Sequence, residues 1–409
     1  MGAVAASEPG RRARWRRRLL RGLALPLRWG PRERLPADSR RPRVLVVRPD
    51  HLGDLLLATP ALALLRAALP EAHLTALVGP WAQPVLDGRQ EVDAVRLCPF
   101  PAFARRPPRH PLAPYLLLLR EAWRLRRARY DAALVLRVDD WWSAALVAWA
   151  GIPLRIGYAV PESAPFLTDA LPADYAQHSA WESWRVVGRL LARLGQPIPA
   201  GGPPPVTARP TPDGTTAATA WLAAQGLAAA EPLIAVHPGS GARLKCWPAD
   251  RWAEVADALV DRLGARVVLT GSAAERPLVE AIRAGMRRPA WVAAGALDWQ
   301  GLAGLFARCR LVLGVDSGPL HLAVALGVPT VHVFGPTAPA RFGPWGSGAR
   351  HQVVRVALPC SPCGHVVAPP CGAEATPACL QAVLPVMVLR AAEAALAHGG
   401  AAPVARGAP

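Results

Sequence analysis

Leu233-Ile-Ala-Val-His237-Pro-Gly-Ser-Gly241-Ala-Arg-Leu-Lys245-Cys-Trp-Pro248 is the stretch whose reading decides the fold. It begins with an apolar run, Leu233–Val236, too short for a helix and without polar alternation. Such a run suits a parallel strand covered on both faces. A glycine-rich loop follows, and Trp247-Pro248 opens a predicted helix over Ala249–Leu263, where proline is tolerated because the first-turn amide has no partner anyway. Strand, glycine loop and helix together make the opening of a doubly wound α/β unit. Lys245, within that loop, is the only lysine among the 47 lysines and arginines of the chain, which also lacks asparagine. Where arginine serves everywhere else, one retained ammonium marks a place that needs a compact point charge, such as a phosphate oxygen met end-on.

The same grammar extends outward. Downstream come a strand over Arg266–Leu269, a helix over Glu275–Met286, a strand over Trp291–Ala293 and a helix over Trp299–Arg308. Leu311–Gly314 is then a strand, Pro319–Leu326 a helix and Thr330–Phe334 a strand. Upstream, residues 198–214 are crowded with Pro and Gly and read as an interdomain linker. Before them stand strands over Arg43–Arg48, His73–Val78, Val92–Leu97 and Ala132–Leu136, with helices over Leu55–Leu69 and Leu116–Arg129. Alternation of this kind predicts an α/β chain of two Rossmann-like, doubly wound domains facing a central cleft, with ligands at the carboxyl ends of the strands. The expected divisions are a leader at 1–42, domains at 43–200 and 215–390, a linker at 201–214 and a tail at 391–409.

The chain has 409 residues, 52% hydrophobic and 19% charged, so it carries enough apolar material for two cores and is not a disordered protein. Its formal charge of +18 is concentrated early: residues 1–43 hold 13 arginines against Glu8, Glu33 and Asp38. Around Arg16-Arg17-Arg18-Leu19-Leu20-Arg21 the leader lacks the continuous apolar run of a membrane-spanning helix, and no cleavage signal follows the charges. Leucine and tryptophan interleaved with arginine suit an anionic membrane surface. No nucleic-acid module accompanies the charge, which argues against a nucleic-acid partner.

Loops after the strands carry the chemistry. His237-Pro-Gly-Ser-Gly241 offers close backbone approach, the Ser240 hydroxyl and the Lys245 charge, a set suited to a pyrophosphate although not a Walker A loop. Thr270-Gly-Ser-Ala-Ala-Glu275 ends on a carboxylate that fits two ribose hydroxyls or, equally, ordinary helix-start chemistry. In Gly314-Val-Asp-Ser-Gly-Pro-Leu-His321, Asp316 follows a buried strand and suits sugar hydroxyls or an N-cap. Ser317, Gly318 and His321 open a helix whose amides suit an anion. In the first domain Asp54 follows Gly53, with Asp50 and His51 close by. A carboxylate there is placed to take a proton from an attacking hydroxyl, and side-chain chemistry alone does not choose among the three.

Taken in order, Arg48-x-x-x-x-Gly53-Asp54 with Thr59-Pro60, His237-Pro-Gly-Ser-Gly with Lys245-x-Trp247-Pro248, Gly271-x-x-x-Glu275, and Asp316-Ser-Gly-x-x-His321 with Phe334-Gly-Pro-Thr337 resemble the family-nine glycosyltransferases, the ADP-heptose:lipopolysaccharide heptosyltransferases. The resemblance runs over residues 43–390. It implies a GT-B architecture and inverting sugar transfer that needs no metal or other cofactor. It implies a nucleotide diphosphate sugar donor (ADP-heptose) and a lipid-linked or lipopolysaccharide-core acceptor, in the cytoplasm at the inner face of the membrane. Carried over by position, it makes Asp54 the general base, Lys245 the donor-phosphate contact and Glu275 the ribose acid. Asp316, Ser317, Gly318 and His321 become the loop that holds the donor. Ser240 and Gly241 stand where some relatives carry threonines, and Gly241 lacks the hydroxyl.

In relatives the first domain receives the acceptor. Arg105, Arg106 and Arg109, with the arginine-rich helix from Arg120 to Arg129, are therefore candidates for acidic groups of the acceptor, or form a solvated face. Cys360-x2-Cys363-x7-Cys371-x7-Cys379 suits a structural zinc, disulfides or free thiols. Two other functions fit parts of the pattern: a nucleotide-sugar epimerase of the same architecture, and a non-catalytic glycan-binding protein.

Overall fold

In the computed structural model, which describes residues 22, 41–104, 110–227, 231–346 and 348–398, the short apolar runs are strands, the central ones buried on both faces and Ala94–Leu97 half-exposed. The described residues divide into two units. The first holds those up to His51, Ala61–Tyr175 and Trp181–Pro203; the second holds Leu52–Pro60, Ala176–Ala180 and those from Pro204 onward. Apart from Gly22, Arg41 and Pro42, the leader lies outside the described residues. Among the described residues no helix is long and apolar enough to cross a membrane.

The first unit is built on β1 (Arg43–Arg48), β2 (His73–Val78), β3 (Ala94–Leu97), β4 (Ala132–Val135), β5 (Leu154–Tyr158) and β6 (Asp169–Leu171). They form one sheet in the order β3-β2-β1-β4-β5-β6, and the pairs are parallel. Leu45, Val47 and Val135 pack with Phe100 and Trp142 on one face of it. Past β4 the structure adds a helix with little sequence periodicity, Trp141–Trp149, because it is buried almost all round; Asp140 caps it by accepting from the Ser143 amide at 3.0 Å. The helix after β1 spans Leu52–Ala68 and so begins before the expected Leu55. Asp54 therefore lies inside its first turn, where the helix dipole favours a carboxylate.

The second unit repeats the plan with β7 (Leu233–His237), β8 (Arg266–Leu269), β9 (Ala290–Val292), β10 (Cys309–Val315), β11 (Thr330–Val333) and β12 (His351–Val354). Its order is β12-β11-β10-β7-β8-β9, again parallel, so the first strand of each unit pairs with the fourth. The direction of winding reverses between those two strands, and the crevice at their carboxyl ends is where doubly wound sheets bind ligands. Trp247 anchors the loop after β7: its ring meets Trp252 edge-on at 4.9 Å and its Nε1 donates to the Val383 carbonyl at 3.2 Å.

Two expected boundaries move. Helix Pro212–Ala224 starts inside the stretch read as linker, with Thr211 accepting from the Gly214 amide at 3.1 Å; proline crowding masked a start signal made of an N-cap threonine and first-turn proline. Helix Pro385–Ala397 runs past residue 390 and supplies Val388, Leu389, Ala392 and Ala395 to the second core, so the segment read as a tail from 391 is structural as far as Ala397.

Helix Pro212–Ala224 lies against helix Trp299–Ala307 at backbone contact. A Cβ at Gly304 would collide with the Gly214 carbonyl, and one at Gly214 with the backbone of Gln300. Neither obstacle is a side chain that rotates away. Gly304→Leu is expected to cost about 1–3 kcal/mol, the usual range for overpacking, read as a lower urea midpoint; an unchanged midpoint would show that the two helices have room to part.

Candidate functional site

Parallel pairing of β7 with β10, in register at His237 and Gly314, brings their two exit loops together at the carboxyl end of the second sheet. Asp316, the first residue past β10, is the meeting point. Its Oδ2 accepts from Lys245 Nζ at 3.0 Å and from Thr337 Oγ1 at 2.7 Å. His321 Nε2 lies 4.0 Å from its Oδ1. Lys245 sits on a short 3-10 turn, Arg243–Lys245, and its side chain is 18% exposed against 8% for Asp316. An ammonium has three donors, so a pairing to Asp316 aims Lys245 without exhausting it. Ser240 Oγ lies at hydrogen-bond range, 3.5 Å, from the Asp316 carbonyl, which ties the glycine loop to the same point.

Ser317 is the N-cap residue of helix Gly318–Ala325 and is extended there, yet its hydroxyl makes no cap bond. Among the described residues the buried Ser317 Oγ and His321 Nδ1 have no hydrogen-bond partner. A buried polar atom left unpaired is costly unless a ligand or water completes it. The Ser317 hydroxyl and the first-turn amides follow directly on Asp316, which Lys245 contacts, and donors of this kind suit an anion. His321 adds no charge to it: burial lowers its pKa to about 4, only partly offset by Asp316. Behind it stands a polar row in which His332 Nε2 and His351 Nδ1 each contact Thr330 Oγ1, at 2.8 and 2.9 Å. Burial holds His332 well below the usual histidine range and His351 down to about 4. His237, 3.0 Å from Thr270 Oγ1, is lowered in the same way, again chiefly by burial.

Glu275 closes the far side of the loop. Its Oε2 accepts from the Ser272 amide at 2.7 Å and the Ser272 hydroxyl at 2.8 Å, a capping box, so the helix-start role left open beside ribose binding is realised in this structure. A Cβ on Gly239 would strike the Glu275 carboxylate, hence the glycine. Beside Gly241 a cavity of about 660 Å³ opens between residues 241–244 and residues 366–369 and 372–374, so the cysteine-rich segment walls the glycine-rich loop. Of its thiols, Cys360 and Cys371 are exposed and Cys379 is buried, with Cys363 near enough to help raise the Cys379 pKa, which burial chiefly raises. Among the described residues no three His, Cys, Asp or Glu side chains are grouped so as to hold a metal.

Of the three candidate bases, Asp50 is already committed to the first unit's own structure. It is buried, with Arg48 Nε 2.8 Å from Oδ2 and Arg137 bound to Oδ1. Burial alone would raise its pKa, but these two guanidiniums more than offset that and hold the carboxyl below the usual range. His51 packs near the rings of Trp81 and Phe103. Asp54 is half-buried in the first turn of its helix. That turn belongs to the second unit, where a Cβ on Gly53 would lie 3.0 Å from both the Gly318 Cα and the His321 ring. Asp54 is thereby one residue from a close backbone approach to the helix start at Ser317-Gly318. Arg105, Arg106 and Arg109 lie outside the described residues.

Sequence reasoning quoted Thr337 in a motif but gave it no task, and it did not find Arg137. Thr337 lies in the loop that leaves β11, four residues past its end, so its place after a buried strand was the available signal. Arg137 carried none, because it is one arginine among many.

The family model for glycosyltransferase family 9 (heptosyltransferase) matches residues 119–369. Lipopolysaccharide heptosyltransferase 2 of Escherichia coli K12 is 28% identical over 326 residues, covering 75% of this chain and 87% of that protein. A crystal structure of a family 9 glycosyl transferase from Veillonella parvula superposes with a TM-score of 0.71 at 24% identity, covering 87% of this chain and 97% of the other. The structure of E. coli ADP-heptose LPS heptosyltransferase II gives 0.67 at 24% identity, with 87% and 98% covered.

The neutral histidines carry a pH signature. His321 and His351 titrate near 4 in the folded chain against an ordinary 6.5, so between those values the unfolded chain binds protons that the native one refuses. Stability from this source is complete above 6.5 and is lost as pH falls toward 4. Urea unfolding at about pH 4.5 and about pH 7 should show this drop, and His321→Gln should shrink it. An equal drop in the variant would mean that His321 is not held neutral.

Proposed function

Since the chain belongs to glycosyltransferase family 9 (heptosyltransferase), and is therefore a sugar-transferring enzyme of α/β GT-B fold, we propose that it moves a heptosyl unit from an ADP-linked donor to a lipopolysaccharide-core or related envelope glycan. The names of its relatives support the donor and the acceptor. The observation that carries the reading is the placement of the only lysine of the chain. Lys245 is held by Asp316 at 3.0 Å beside an unpaired serine hydroxyl and a helix start.

In this reading the diphosphate lies against the Ser317 hydroxyl, the first-turn amides of helix Gly318–Ala325 and Lys245. As the bond from the anomeric carbon to the diphosphate lengthens, negative charge grows on the departing oxygen. A preorganised ammonium and fixed amides stabilise that charge at the moment it forms. With a resident cation and dipoles in place, transfer needs no divalent ion. Asp316 orients Lys245 and, with Thr337, keeps its own carboxylate fixed. Glu275, at the helix start beside the glycine-rich loop, accepts from the ribose hydroxyls. Asp54 takes the proton of the acceptor hydroxyl as it attacks opposite the leaving group, which inverts the anomeric centre. The enzyme works at the inner face of the cytoplasmic membrane, where a lipid-linked acceptor is presented.

Lys245→Ala is expected to lower turnover by about tenfold or more, as removal of a charged transition-state contact does. Asp54→Asn should lower it by about a hundredfold or more while leaving donor affinity near normal, because a general base acts in the chemical step. Initial rates of ADP release with a lipopolysaccharide-core acceptor, together with mass analysis of the product, read both. Near-normal rates in Lys245→Ala would remove the phosphate role, and near-normal rates in Asp54→Asn would move the base elsewhere.

A further inference from the structure

Helix Ala113–Ala128 buries one face and leaves the opposite face bare. Leu118, Glu121, Ala122 and Leu125 are buried. On the other side Leu112 is 57% exposed, Leu116 65%, Leu119 48% and Trp123 56%. Those positions are spaced by four, three and four residues, which lines them up along one side of a helix, with Leu112 at its N-cap. A soluble surface seldom keeps a continuous apolar strip of this size without a use for it.

The flanks identify the use. Residues 112–129 contain five arginines and a single acid, Glu121. That acid is itself buried, and both Arg120 and Arg124 are paired to it at 3.2 and 2.9 Å. All five arginines are exposed. The Arg127 guanidinium lies 3.5 Å from the centre of the Trp123 ring, a cation–π pair at the margin of the strip. Tyr115, 41% exposed, stands at its start. Leucines in the middle, aromatic rings with a polar edge, and arginines whose stems lie along apolar surface while their heads reach outward match the layers of a bilayer interface.

We propose that this helix lies flat on an anionic phospholipid surface. Leu112, Leu116, Leu119 and Trp123 enter the boundary between headgroups and acyl chains, and Arg120, Arg124 and Arg127 meet lipid phosphates. The proposal rests on the membrane-face reading above for the choice of lipid, and adds which surface touches it. The convex strip offers no groove for a peptide, and its net positive charge opposes a second copy of itself.

The test is co-sedimentation of the full chain with vesicles of phosphatidylglycerol mixed with phosphatidylethanolamine, and with phosphatidylcholine alone. The wild type should partition onto the anionic vesicles, more weakly at high salt, and poorly onto phosphatidylcholine. The triple variant Leu116→Gln, Leu119→Gln, Trp123→Gln should partition about tenfold less or worse, in keeping with the apolar area removed. It should keep its circular dichroism and its turnover on a deacylated, soluble acceptor. If that variant does not fold, Arg126→Glu with Arg127→Glu, at exposed positions, should give a similar loss on anionic vesicles. Undiminished partition of a folded variant would overturn the helix as the docking surface and leave the membrane reading standing. Failure of the wild type to partition would overturn both. Self-association of the wild type that the triple variant abolishes, with partition intact, would make the strip a protein interface and overturn the proposal.

Discussion

Everything at the candidate site is organised around one carboxylate, Asp316, and the ammonium it holds. A pair this far from solvent gains little net stability, because taking both charges out of water costs about as much as their attraction returns. What the pair supplies is direction. Lysine is a flexible side chain with many rotamers, and the 3.0 Å contact to Asp316, backed by Thr337, confines Lys245 to the crevice between β7 and β10. The parallel pairing of those strands makes this geometry a consequence of the fold: residues that leave adjacent parallel strands at the same end must face the same place.

The charges around that place are few and opposed. The buried histidines near it, His321, His332 and His237, are all held in the neutral form by burial. Lys245 and Asp316 cancel, so the place carries donors and dipoles without a large excess of fixed charge. In the first unit the opposite choice is made at Asp50, whose negative charge is matched by Arg48 and Arg137. That match makes Asp50 a brace between the ends of β1 and β4. Asp54 then has the better claim to act on an acceptor, being half-buried at a helix start and next to Gly53.

Much of this was legible in the amino-acid order, and the failures have physical causes. Strands buried on both faces read clearly as short apolar runs, and His73–Val78, Arg266–Leu269 and helix Ala249–Leu263 stand where they are predicted. Helix Trp141–Trp149 was not legible, because a helix buried all round has no polar face to set a period. Helix Pro212–Ala224 was hidden by a proline content that reflects the bias of the whole chain. Lys245 could be singled out from its rarity, whereas Arg137 could not, for the opposite reason. Partners that meet only through tertiary structure, such as Thr337 on Asp316 or Glu275 over Gly239, leave no more than position in the chain to go on.

Calorimetric titration of the full chain with ADP and with AMP is the most direct examination of whether this crevice is built for a diphosphate. Two nucleotides that differ by one phosphoryl group share base and ribose contacts, so the difference in affinity isolates what Lys245, Ser317 and the helix start contribute. Binding of ADP tighter by about tenfold to a hundredfold is the expected result, as one or two charge-assisted hydrogen bonds in a partly buried site would give. Equal affinities for ADP and AMP would contradict it, and would leave the sole lysine of the chain as nothing more than the partner of Asp316.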